Sequence, residues 1–161
     1  MSVSLRVILD WEEEDVFRDL LVPSDTDLHK LHDAILKSFQ LNSGEMASYY
    51  RSNDNWEQGD EIPMMAFDEN QVTMEHFLVE DIFDKEGNKL LYVYDFLSMW
   101  TFYVEAMALS EEEPQGIKVT QIQGNRPADA PEKKEQDANP NIFDDLDLDL
   151  DEFDDLNDYT E

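Results

Sequence analysis

Five aromatic rings surround a single carboxylate, Asp95, in the stretch YVYDFLSMWTF at residues 92–102. Aromatic walls around a few polar groups are how small-ligand sites are built, so Tyr94, Asp95 and Trp100 are candidates to line a pocket. Acid–base catalysis by Asp95 would need a second positioned group, and none lies close to it in the chain. The competing reading makes Asp95 a turn residue that joins two strands and accepts backbone N–H bonds. That structural role is the one we expect.

Other reactive patterns are incomplete. His29 and His32 stand three apart on an expected helix, a spacing that can set two imidazoles side by side for a metal. No HExxH accompanies them, and they read instead as a packed or exposed pair of helix histidines. Asp145, Asp147 and Asp149 form D-x-D-x-D, but Leu150 and Leu156 stand where a calcium loop needs Gly and Glu. There is no G-x-S-x-G elbow, phosphate loop or dinucleotide fingerprint among the five glycines. We therefore expect no catalytic residue, no cofactor and no metal.

Charge narrows the function classes further. Forty Asp and Glu face eleven Lys and Arg, a net charge of −29. Residues 132–161 hold thirteen acids and two bases, net −11, which leaves −18 for residues 1–131. Such a surface repels phosphate backbones and anionic membranes, so direct nucleic-acid or membrane binding is disfavoured and basic proteins or cations become the natural partners. No apolar run approaches the ~20 residues that span a bilayer. With no cysteine, disulfides and thiolate metal sites are excluded. The sequence reads as cytoplasmic.

The elements that position these residues follow from periodicity. Val3, Leu5, Val7 and Leu9 alternate as one face of a strand, the acids Glu12 to Asp15 mark a loop, and VFRDLLV returns as a second strand. After Pro23, the run SDTD offers caps, with Thr26 or Ser24 the expected one. Leu28, Leu31, Ile35 and Phe39 then draw one apolar stripe along a helix. MASYYR reads as a third strand, MEHFLVEDIF as a short helix carrying Phe77, Ile82 and Phe83 inward, and DKEGN as a turn. KLLYVYDF and MWTFYVEAMAL form a hairpin joined at DFLS, with aromatics on both faces, so both sides should be at least partly covered. IKVTQIQ, residues 117–123, closes the series. The expected fold is α+β, a mixed β-sheet with one main helix packed across it.

Near Gln123 to Pro131 the composition shifts to Pro, Ala and charge, which is linker chemistry. We read a domain over residues 1–126 and an acidic disordered linker and tail over 127–161. Within the tail, Phe143, Leu146, Leu150 and Phe153 are spaced three, four and three, a stripe that could dock on a partner.

VFRDLLVPSDTDLHKLHDAI, YVYDF and the tryptophan at position 100 resemble the plasmid pRiA4b ORF-3-like family over about residues 3–126. Its hallmarks are an aromatic-Arg strand, Leu-His on the next helix, and Tyr-Asp-Phe-Gly-Asp before a Trp. The resemblance implies a compact α+β domain, sometimes tied to mobile elements, with Arg18, His32, Tyr94, Asp95 and Trp100 at the marked positions. Leu97, Ser98 and Phe102 replace the family's usual Gly-Asp and His, which removes polar groups from the place where chemistry would be sought. The expected function is an interaction domain with an acidic tail, whose partner is a protein with a basic or apolar groove. Two alternatives stand: a ligand-binding or enzymatic pocket at the Tyr-Asp-Phe hairpin, and an acidic nucleic-acid mimic associated with a mobile element.

Overall fold

Alternation along the first two strands is obeyed in space: Val3, Leu5, Val7 and Leu9 on β1 (Ser2–Leu9) and Leu20 and Val22 on β2 (Phe17–Pro23) are all buried on one face. The computed structural model describes residues 1–131. Phe143, Leu146, Leu150 and Phe153 lie outside the described residues.

β1 and β2 pair antiparallel, from Ser2 opposite Pro23 to Ile8 opposite Phe17. The chain then enters α1 (Leu28–Ser38), whose stripe of Leu28, Leu31, Ile35 and the following Phe39 is buried against the sheet. The cap is Asp27, not Thr26 or Ser24: the Asp27 side chain accepts the Lys30 N–H at 2.9 Å. Thr26 is held back because its backbone bonds both to Pro23 and to Val79.

β3 (Ala47–Arg51) and the three-residue β4 (Glu61–Pro63) form the far side of the sheet. A 3-10 turn (Met74–His76) and the one-turn α2 (Val79–Ile82) replace the single short helix expected over this stretch, and they bury Met74, Val79 and Phe83. The hairpin of β5 (Lys89–Tyr94) and β6 (Trp100–Ser110) fills the centre, and β7 (Lys118–Gln123) closes the near edge. The order is β4-β3-β5-β6-β1-β2-β7, and every neighbouring pair is antiparallel.

The α+β class holds, but the sheet is not mixed. The reason is topological. From β2 the chain crosses over α1 to the opposite side of the sheet, and the later β5–β6 hairpin inserts between β3 and β1 with β6 antiparallel to β1.

Both faces of the central hairpin are covered. Toward α1, the rings of Phe39, Phe102, Tyr92 and Tyr49 form a continuous row with centroids 4.7, 5.8 and 5.1 Å apart. Full burial of one such ring contributes about 1.5–3 kcal/mol. On the other face, the loop between β3 and β4 lays Trp56 edge-on against Tyr103, 4.9 Å between centroids. Farther along that face, Arg6 pairs with both oxygens of Asp19 at 2.8 and 3.0 Å and lies over the Phe17 ring. Among the described residues no helix is long and apolar enough to cross a membrane.

Candidate functional site

Where the last carbonyls of α1 go explains much of what the marked residues do. A helix leaves its final C=O groups without partners inside the helix. Here Gln40 adopts φ 58°, the left-handed turn that ends many helices, so that Gln40 N–H bonds Lys37 O at 3.1 Å and Leu41 N–H bonds Leu36 O at 2.8 Å. Three carbonyls remain, and two arginines take them. Arg18 Nε donates to Ser38 O at 2.8 Å. Arg126 Nε donates to Phe39 O at 2.7 Å and its Nη2 to Gln40 O at 2.8 Å.

Arg18 is buried, and its Nη1 also donates to Gln123 O and Gly124 O at 3.1 and 3.0 Å. Its guanidinium stacks over Phe39. Burial lowers its pKa from the usual arginine value. It thus fastens the end of α1 to the end of β7. Gly124 belongs to this clasp: it adopts φ 71°, and a Cβ there would sit 2.8 Å from Asp15 O.

His32 fastens the middle of the same helix. Its Nδ1 lies 2.6 Å from Tyr92 Oη, and the two groups are buried. Desolvation, opposed by Asp33 and assisted by His29, lowers the His32 pKa to about 4. Burial raises Tyr92 and Tyr49 well above the ordinary tyrosine value, so both stay phenols, and Tyr49 Oη donates to Leu28 O at 2.9 Å at the start of α1. His29 is more exposed; its ring meets His32 edge-on at 5.3 Å and its Nδ1 lies 3.6 Å from Asp33. Among the described residues no cluster of three or more His, Asp or Glu is arranged to hold a metal ion.

Tyr94, Asp95 and Trp100 do come together, at the turn between β5 and β6. They border a cleft of about 270 Å³ whose other walls include Asn42, Glu45 and Arg126. Tyr94 is buried and donates from its hydroxyl to Asn42 O. Asp95 has φ 61°, and its Oδ1 accepts the N–H groups of Leu97 and Ser98 at 3.2 and 3.4 Å. Its own N–H bonds Met46 O, and its C=O accepts Met99 N–H at 2.6 Å. Asparagine and aspartate tolerate this left-handed conformation because their short side chains bond locally. Arg126 passes over the Trp100 ring at 5.5 Å, with Nη1 given to Pro127 O at 2.9 Å.

The five marked residues therefore form two groups. Arg18 and His32 hold α1 on the sheet; Tyr94, Asp95 and Trp100 shape the turn. Arg126 was missed in the sequence because it sits in GNRPADAP, which reads as linker. No local signal marks it out: six other bases of the chain likewise have no acid beside them, and the bonds of Arg126 run to backbone carbonyls.

An antiparallel seven-stranded sheet clasped to one helix defines a small α+β protein class. Residues 1–136 match the family model described as Plasmid pRiA4b ORF-3-like protein, and the chain belongs to that family. The crystal structure of a protein of unknown function from Methanosarcina mazei Go1 is similar in fold, with a TM-score of 0.60 at 19% identity over 75% of this chain and 68% of the other. No curated protein matches the chain.

Proposed function

We propose that this chain is a protein-interaction module that works by contact at the β5–β6 turn. One contrast carries the reading. At this turn the Tyr94 hydroxyl and Asp95 Oδ1 are bonded to the chain's own backbone, while the apolar side chains point to solvent: Leu97 is 96% exposed, and Phe96 and Met99 are each 42% exposed. Single exposed apolar residues are ordinary, but clustered ones mark contact surfaces. A second apolar loop leaves the same end of the sheet. Met64 N–H bonds Ala47 O, Ala47 pairs with Tyr94, and Met65, Phe67 and Val72 beyond it are exposed.

The partner's chemistry follows from the charge. With −18 on residues 1–131, a protein with an apolar groove and basic rim fits this end of the sheet. The acidic tail, with Phe143, Leu146, Leu150 and Phe153, is proposed as a second anchor for the same partner. The rival reading is a small-molecule site in the cleft beside Tyr94, Asp95 and Trp100, favoured by the cleft itself.

Affinity capture from the protein's own cells with wild type and a Phe96→Ser/Leu97→Ser variant separates the two. We expect the variant to keep its melting temperature and lose the partner. Equal capture by both proteins refutes the turn as the contact. A ligand screen by thermal shift tests the rival, since a molecule held only by the native state raises the melting temperature. Capture of many basic proteins, lost together as salt rises, would favour the nucleic-acid mimic.

A further inference from the structure

The two edges of the sheet are built differently. β4 is three residues long, begins at Glu61 just after Asp60 and ends in Pro63, all features that discourage another strand from pairing there. β7 has twice that length, no proline, no acid and only Lys118 as a charge. All six of its residues are exposed.

Its register adds a second point. Arg18 pairs with Ile122 and Leu20 with Val119, with an irregularity between them. Arg18 and Leu20 are buried on the core face of β2, so the extra residue in β7 turns both Val119 and Ile122 to that same face. There they are 48% and 64% exposed, an apolar ledge that extends the core face past the last strand.

We infer that β7 is a self-association edge, at which two copies of this chain pair antiparallel and continue one sheet into the other. Val119 and Ile122 lie at equal distances from the midpoint of Lys118–Gln123. A two-fold pairing centred there sets Val119 of each copy against Ile122 of the other and gathers four apolar side chains on one face. Charge selects a second copy as the occupant. From Pro114 to Ala128 the chain has no acid, its longest such stretch, and the neighbouring Asp19 is already paired with Arg6. Two such edges meet without like charges opposite each other, whereas a basic partner would be drawn to the acidic surface elsewhere.

Two six-residue strands bury well under the ~1,600 Å² of a stable complex, so the dimer is weak, with Kd of about 100 µM to 1 mM. The remaining negative charge opposes association at long range, and salt therefore tightens it.

Sedimentation velocity of the full chain from ~10 µM to ~1 mM, in ~50 mM and ~500 mM NaCl, tests this. The expected result is a monomer–dimer equilibrium that strengthens in high salt, with amide exchange at residues 118–123 slowing as concentration rises. Ile122→Asp and Ile122→Lys, at an exposed position, should each weaken dimerisation about tenfold or more. A response to net charge alone would instead make the Lys variant associate more tightly. The inference is overturned by a monomer at every concentration in high salt, by a dimer that survives both variants, or by exchange protection that falls outside β7.

Discussion

At position 32 the helix decides the protonation state. His32 lies on the buried stripe of α1 against Tyr92, where a charged ring would lose its water and gain only Asp33, across 3.9 Å, in return, with His29 opposing. Its folded pKa of about 4 lies below the ordinary 6.5, so the unfolded chain takes up a proton that the folded chain refuses. The stability from this site is therefore fully present above 6.5 and is lost as pH falls from there toward 4. Discounted for screening, the loss is about 2 kcal/mol. Protonation of the many carboxylates acts over part of the same range, so the site is read as a difference. Between about pH 7 and about pH 4.5, urea denaturation should show wild type losing about 2 kcal/mol more than His32→Gln, which keeps a polar partner for Tyr92 without titrating. Parallel pH profiles for the two proteins would remove His32 as the cause.

For the elements, the decisive unit is the seam where α1 ends beside β7. Arg18→Met keeps the stem over Phe39 but strips the donors from Ser38, Gln123 and Gly124, and should cost about 2–4 kcal/mol in chemical denaturation. Arg18→Lys should recover little, because one ammonium cannot reproduce the planar fork that serves carbonyls on two elements. Full recovery by lysine would reduce the seam to a simple charge effect. Much of this architecture was legible in the sequence: period two gave β1 and β2, the three-four spacing gave α1, and Gly87 with its neighbours gave the turn before β5. Three things were not legible. β4 is too short for Glu61, Ile62 and Pro63 to display a period. The antiparallel sheet depends on where the crossover lands, which no local pattern encodes. The seam joins residues 18, 38, 124 and 126, and its bonds run to backbone carbonyls, which every residue has. Of the candidate site, the pattern marked Tyr94, Asp95 and Trp100 as neighbours and the Asp95 carboxylate as an acceptor within its own turn, but the carbonyls of Asn42 and Met46 that take the Tyr94 hydroxyl and the Asp95 N–H lie on another loop.

Over the whole molecule, diffuse repulsion competes with a few specific attractions. Ion pairs such as Arg6–Asp19 and Lys89–Glu105 stabilise the folded chain, and salt weakens them. Against them stand −18 charges on residues 1–131 and −29 on the full chain, which folding concentrates and salt screens. Arg6–Asp19 is partly shielded and hydrogen-bonded, so it is less sensitive to ions than the exposed acids at Glu12–Asp15 or Glu111–Glu113. The repulsive term should therefore respond more, and the melting temperature should rise by several degrees from ~20 to ~300 mM NaCl, with the steepest part at low salt where the screening length changes fastest. Calorimetry at low micromolar concentration keeps the chain monomeric, which separates this effect from any salt-promoted pairing along β7. A melting temperature that falls with salt would mean that the named pairs outweigh the summed repulsion, and that the acids are spaced widely enough on the surface to be tolerated without screening.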